Sequence, residues 1–439
     1  MYNTIEQLYA IYQHHPQVFI DTRKQLQQGI FVAVGEKDAQ GVHRGNQFAE
    51  KALQSGQAAY AIINDARLKE KHLEDDRYLL VEDGEQALQQ LAKHHRKQLS
   101  APIVAIAGSN GKTTTKELLQ GVLSTKYKTF ATQGNLNNHL GVPLSILSID
   151  KSYELIILEV GANHLGETYF LTDLIRPDYG LVTNCGKDHL GEYGSVANII
   201  KANKELYDVL ALQGKKAFVC ANDPQLVEMS AAVDTCIFYG RNQEVSATLT
   251  HSPFVAFELQ LPTEKTTIQS NLFGKFWLDT LLNAAAIGHY FGVAAPAIKQ
   301  AIEQYMPAAL RSQLMEWHNN RVLLDCYNAN PSSMTAFLEE IQSGTIERSK
   351  VLVLGEMLEL GKYSKLEHQS LVDNIDYTTF EAVYFVGASF EEVILPKVDN
   401  LRHFATTHQA QLAIEAANYQ AQYIFVKGSR GNKLELIFE

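Results

Sequence analysis

An apolar run, Ile103-Val104-Ala105-Ile106-Ala107, passes directly into Gly108-Ser109-Asn110-Gly111-Lys112-Thr113-Thr114-Thr115. A helix-compatible stretch, Lys116-Glu117-Leu118-Leu119, comes next. Few arrangements constrain a fold as strongly. A strand that ends in a Gly-rich turn and a helix N-terminus aims several backbone N–H groups at one point, and the helix dipole adds positive potential there. That is the chemistry of a phosphate-binding loop, in which Lys112 reaches the outer phosphates and the Thr113 hydroxyl sits on Mg²⁺. The spacing is Gly-x-x-Gly-Lys-Thr, shorter than the common Walker pattern. The bland alternative is an ordinary strand–helix turn with a surface lysine; the flanking apolar run and helix weigh against it. A nucleoside triphosphate is the expected ligand.

At 439 residues the chain is too long for a single core. A net charge of −11, with no Lys/Arg block, argues against a nucleic-acid partner. Cys185, Cys220, Cys236 and Cys326 show no Cys-x-x-Cys pairing, so reduced thiols in a cytoplasmic protein are expected rather than a metal cluster. The N-terminal residues carry no export-signal pattern. The most apolar long segment, 281–297, is interrupted by Asn283, Gly288, His289, Tyr290 and Gly292, which suits a packed helix and turn rather than a membrane span.

The expected fold class is α/β in three domains. Residues 1–99 mix short strands (30–34, 59–63, 78–81) with helices, and the polar stretch 93–98 (Lys-His-His-Arg-Lys-Gln) is expected to be a solvated linker. Across 100–307, apolar runs at 103–107, 155–158, 180–183 and 217–220 alternate with helical stretches, the pattern of a parallel sheet wrapped by helices. Ligands of such sheets sit beyond the C-terminal strand ends, where Glu159 and Asn184 fall. Residues 308–439 carry β-runs at 322–325, 351–355, 383–387 and 424–428, the last three ending at or beside glycine, which predicts a smaller doubly wound, Rossmann-like unit.

Five further segments follow the phosphate loop in a fixed order. They begin at Gly134 (GNLNNHLGVP), Glu159 (EVGANHLGE), His189 (HLGEYGS), Asp325 (DCYNANP) and Lys427 (KGSR). Together they resemble the Mur ligase family of ATP-dependent amide-forming enzymes, over about residues 21–430. The Asp325 and Lys427 segments resemble its dipeptide-adding branch rather than the branches that add a single amino acid. The resemblance implies an N-terminal UDP-sugar domain, a central ATPase and a C-terminal domain for the amino substrate. It implies cytoplasmic synthesis of a peptidoglycan precursor by a monomer, with ATP and Mg²⁺ as cofactors. The substrates would be UDP-MurNAc-tripeptide and D-Ala-D-Ala, joined through an acyl phosphate.

Residue by residue, the same resemblance implies that Gly108 to Thr114 together with Arg311 and Asp325 bind ATP. Lys112, Glu159 and His189 would be catalytic, and Thr113, Glu159 and His189 would ligate metal. Oxygen donors such as Thr113 and Glu159 suit hard Mg²⁺, and Lys112 would offset phosphoryl charge. Glu159 is expected to lack a basic partner, so that a bound cation offsets its burial. Thr22 and Arg23 resemble part of the uridine-nucleotide site, and Asn137 and Asn138 the muramic-acid contacts. Asn328, Lys427 and Arg430 would hold the dipeptide, the two cations clamping its carboxylate.

Three positions depart from the family. Counting forward from His189, its carbamylated lysine falls on Asn203, which cannot form a carbamate, with Lys204 turned about 100° away on a helix. Trp277 and Thr280 stand where the family has asparagines near the nucleotide base. The hinge before Arg311 reads Ala308-Ala309-Leu310 instead of Gly or Asn. These changes leave open a second reading, a relative that binds nucleotide or UDP-sugar without ligase turnover.

Overall fold

The structure, a computed structural model, describes residues 2–23, 26–307, 310–344, 346 and 348–439. Four sheets organise it. The first is four-stranded and parallel, in the order Val18–Phe19, Gly29–Val32, Ala58–Ile63, Tyr78–Leu80. The second is six-stranded and wholly parallel. Its order is Thr235–Tyr239, Lys216–Cys220, Tyr179–Val182, Ile103–Ala107, Leu155–Glu159, Thr129–Ala131. Every residue of Ile103–Ala107 is buried, and Leu155–Glu159 beside it is buried throughout, Glu159 included. Continuous apolar runs are what a strand covered on both faces requires, and each buried Ile, Leu or Val contributes ~1.5–3 kcal/mol relative to exposure.

The chain leaves Ile103–Ala107 toward one side of this sheet, through Thr129–Ala131 and Leu155–Glu159. It returns on the other side at Tyr179–Val182. That reversal opens a crevice at the C-terminal end of Ile103–Ala107, where such sheets bind ligands. A three-stranded antiparallel sheet (Ser246–His251, Phe254–Gln260, Lys265–Phe273) follows, which strand–helix alternation did not anticipate. The segment 281–297 is packed helix, turn and helix, within Leu278–Tyr290 and Ala295–Gln304.

The last sheet runs Gln313–Trp317, Asn320–Asp325, Tyr423–Lys427, Lys350–Gly355, Ala382–Val386, Leu401–Phe404, parallel apart from the first hairpin. All four β-runs expected here form strands. The chain's final strand inserts between two earlier ones, so Lys427 and Asp325 become partners in register.

The linker expected at 93–98 is not one. Lys93 to Arg96 finish the helix Gly84–Arg96. Arg96 donates to the carbonyls of Ile175 and Arg176 at 2.9 Å, and the buried His95 ring lies 2.8 Å from the Ile149 carbonyl. Arg96 thereby satisfies the C-terminal end of the helix Glu167–Ile175 instead of facing water. One apolar core accordingly crosses residue 100, joining Leu8, Leu88 and Leu91 to Ile103, Leu118 and Ile146. Of the hinge, Ala308 and Ala309 lie outside the described residues.

Candidate active site

The phosphate loop is held from several directions. Gly108 has φ 126°, and a Cβ there would collide with the Thr183 hydroxyl and backbone nitrogen, so only glycine fits. Gly111, at φ 80°, starts the helix Lys112–Ser124 in the left-handed conformation. Asn184 receives the Asn110 backbone N–H at 3.1 Å and donates to its carbonyl at 3.0 Å, while Thr183 Oγ1 donates to the same carbonyl at 2.7 Å. Ser109 donates to Asp188, which is itself buried. Lys112 folds back on the carbonyls of Gly108 and Ser109. An ammonium parked on its own loop is positioned to exchange those carbonyls for anionic oxygens.

Glu159, 2 % exposed, ends its strand beside that loop. Its Oε1 accepts from Thr113 Oγ1 at 3.2 Å and from Asn137 Nδ2 at 2.8 Å. Its Oε2 is buried without a hydrogen-bond donor. The expectation of a carboxylate with no basic partner fails, because Lys116 Nζ stands 3.7 Å from Oε2. Lys112 and Lys116 are four residues apart on one helix face, and that spacing was the available signal. Thr113 and Glu159 suit a hard cation: a hydroxyl and a carboxylate oxygen meet at the cavity wall, and the carboxylate's second oxygen accepts no hydrogen bond.

His189 takes the left-handed conformation (φ 44°) just before the short helix Leu190–Tyr193. Its Nδ1 lies 2.9 Å from Glu359 Oε2, in the geometry of an ion pair rather than an aligned hydrogen bond. Burial opposes protonation of this ring, but the Glu359 carboxylate outweighs it and holds the imidazole above its ordinary range. Glu359 comes from the C-terminal sheet region and carried no motif. Neighbouring contacts dock the same two regions. Asn330 Nδ2 donates to Asn110 Oδ1 on the phosphate loop at 2.7 Å, Ser332 Oγ receives the Lys187 N–H at 2.8 Å, and Lys187 pairs with Glu367 at 2.8 Å.

Between these regions lies a cavity of about 690 Å³, lined on one side by Ser109 to Thr113, Asn137, Asn138, Glu159 and His189. Its other side carries Arg311, Asp325, Asn328 and Lys427. The size suits a small-molecule substrate site. Gly108 and Thr114 lie off the lining, beneath the loop and within the helix. Arg311 stacks 3.8 Å above the Tyr327 ring. Trp277 and Thr280 both line the cavity against Gly111, with the Trp277 ring 3.6 Å and Thr280 Oγ1 3.2 Å from where a Gly111 Cβ would stand. Cys185 also lines it, its thiol pushed up to about 12 by burial.

The expected dipeptide clamp does not assemble. Lys427 is 3 % exposed and pairs with Asp325, whereas Arg430 is exposed, off the lining, and pairs with Glu435. The two cations therefore form no clamp, because register ties Lys427 to Asp325 while Arg430 begins a separate turn. Thr22 and Arg23, read as the uridine end of the acceptor site, follow the first sheet's strand Val18–Phe19 and are not part of the cavity lining that carries Asn137 and Asn138; the Arg23 side chain is exposed on Asp21. Asn203 is buried and donates to the Ile199 carbonyl of its own helix at 3.0 Å, and Lys204 pairs with Asp208. Neither lines the cavity.

Comparison with known proteins bears on this arrangement. Residues 106–288 match the Mur ligase middle domain, and residues 310–430 match the Mur ligase, glutamate ligase domain. The UDP-N-acetylmuramoyl-tripeptide–D-alanyl-D-alanine ligase of Escherichia coli is 32% identical over 429 residues, covering 95% of this chain and 92% of that one. The enzyme of the same name from Bacillus subtilis is 30% identical over 436 residues, covering 96% and 92%. A crystal structure of MurF from Acinetobacter baumannii superposes with a TM-score of 0.84 at 27% identity, covering 99% and 97%. The Thermotoga maritima MurF ligase in complex with ADP shares the fold, with a TM-score of 0.82 at 23% identity over 96% of each chain. A phosphate loop facing a second α/β unit across one cavity, together with these matches along nearly the whole length, places the chain in the Mur ligase family.

Proposed function

We propose that this chain joins D-alanyl-D-alanine to the free carboxylate of UDP-N-acetylmuramoyl-tripeptide, using ATP, as a step in peptidoglycan precursor synthesis. The observation that carries it is the single cavity in which the phosphate loop and Glu159 face Arg311, Asp325 and Lys427. The relatives named for this reaction match along 95–96% of the chain. Its functional units are 1–99, 100–307 and 308–439, the first two sharing one apolar core, and it acts as a monomer in the cytoplasm. One chain supplies both faces of the cavity, and among the described residues no helix is long and apolar enough to cross a membrane.

A carboxylate is a poor electrophile, and phosphoryl transfer to it brings two anions together. The loop N–H groups and the start of helix Lys112–Ser124 receive the nucleotide phosphates. Lys112 leaves the Gly108 and Ser109 carbonyls to follow the transferred group. Thr113 and Glu159 would hold Mg²⁺, which would offset phosphoryl charge when bound. His189, fixed by Glu359, faces the same space and completes the metal side. Arg311 and Asp325 contact the nucleotide from the opposite wall, while Asn328 and Lys427 receive the dipeptide. Asn137 and Asn138 bring the acceptor's sugar end to Glu159, and Thr22 and Arg23 hold its nucleotide end. Attack of the dipeptide amine on the acyl phosphate forms the amide and releases phosphate. Incubation of the chain with ATP, Mg²⁺ and both substrates should give a product of pentapeptide mass; unchanged tripeptide would overturn the proposal.

A further inference from the structure

Lys116 has no place in the reaction as described, yet it is among the most buried cations in the molecule, with its side chain 3 % exposed. Ammonium groups are almost never buried to this degree unless paired. Among the described residues its Nζ has two partners: Glu159 Oε2 at 3.7 Å and the Gly134 carbonyl at 3.5 Å. Each belongs to the site. Glu159 Oε2 is the carboxylate oxygen that accepts no hydrogen bond. Gly134 opens the loop that carries Asn137, whose amide donates to Glu159 Oε1 and whose carbonyl receives the Gly161 N–H at 2.8 Å. Lys116 thus stands behind the carboxylate, while Thr113 and Asn137 approach from the other oxygen.

We infer that Lys116 is a positioning residue for the ligase reaction: it fixes the Glu159 carboxylate and the Gly134–Asn138 loop, and its charge weakens the hold of Glu159 on the divalent ion. The inference rests on the ligase proposal for its catalytic consequence, but its electrostatic part stands on the geometry alone. At 3.7 Å an ion pair is held by charge more than by a short hydrogen bond, and Oε2 accepts no hydrogen bond from any other group. Two cations on one buried carboxylate repel each other through a poorly screening medium. Removing the ammonium should therefore tighten divalent binding while it loosens the orientation of Glu159. A purely structural lysine gives a different pattern, since its loss disturbs packing and weakens every ligand.

The test titrates Mn²⁺ into the ADP complex of the full chain, with free Mn²⁺ followed by electron paramagnetic resonance, alongside steady-state turnover. Lys116→Met and the smaller polar Lys116→Gln remove the charge; Lys116→Arg keeps it. The neutral variants should bind Mn²⁺ about threefold or more tightly and lose about tenfold or more in kcat, whereas Lys116→Arg should keep the wild-type Mn²⁺ affinity within about twofold. Unchanged or weaker Mn²⁺ binding in both neutral variants, with melting temperatures preserved, would overturn the assignment. Failure of both to fold would overturn it too, placing Lys116 in the scaffold alone. Wild-type turnover measured in parallel separates the two proposals: its absence would sink the ligase function and leave the Mn²⁺ comparison intact.

Discussion

The two walls of the cavity reach the same chemistry by different routes. On the phosphate side, Gly108 to Thr114 are contiguous, so one strand, one turn and one helix start place every group of the phosphate loop. On the opposite wall, Asp325 and Lys427 are about a hundred positions apart in sequence. They meet only because the last strand inserts beside Asn320–Asp325. The phosphate loop is a local property of the chain, and the Asp325–Lys427 pair is a property of topology. The same contrast separates Lys427, buried in register with Asp325, from Arg430, which stands three residues later on an exposed turn.

That contrast can be broken at several points. Lys112→Ala removes the mobile cation of the local wall, and kcat should fall by ~10²–10³ with the fold intact, as for loss of a group that stabilises developing charge. A phosphate-release assay measures this, and a fall below tenfold would remove Lys112 from the chemistry. Lys427→Ala strands Asp325 beside an apolar strand. Breaking a largely buried pair costs ~3–5 kcal/mol, so the melting temperature should drop along with turnover. Arg430→Ala, by comparison, breaks an exposed pair with Glu435 and should leave the melting temperature unchanged. A rise in the dipeptide KM above about tenfold in Arg430→Ala would restore that residue to a carboxylate clamp.

Two finer tests concern the departures from the family. The chain has only two tryptophans. Trp277 lines the cavity, whereas Trp317 packs on Phe438 away from it. ADP should quench tryptophan fluorescence in the wild type and not in Trp277→Phe; quenching that persists would move the nucleotide elsewhere. The smallest effect is expected from bicarbonate. Asn203 is bonded to its own helix and Lys204 to Asp208, so added bicarbonate should leave turnover unchanged. Activation would reveal a carbamate that neither side chain presents.

Much of this molecule was legible in its sequence, and what escaped has a common cause. The strand at 103–107 is a continuous apolar run, those at 155–159 and 423–427 are apolar up to a charged last residue, and the loop glycines 108 and 111 mark left-handed backbone, so both could be read directly. The polar segment 93–98 was misleading because its side chains satisfy carbonyls of a distant helix end, a partner that no local pattern displays. Glu359 and Asp188 escaped for the same reason, since each matters only through the group brought against it, His189 and Ser109. Lys116 was half visible. Its spacing from Lys112 fixed the helix face, but only the fold shows that this face meets Glu159.

The measurement that bears most directly on the account is phosphate release from ATP in the presence of Mg²⁺, UDP-N-acetylmuramoyl-tripeptide and D-alanyl-D-alanine, with each component omitted in turn. Release that requires every component is the predicted result, because the phosphate loop, Glu159 and the opposite wall converge on one cavity. Release at the full rate without the dipeptide, or none with all components present and ADP demonstrably bound, would contradict it.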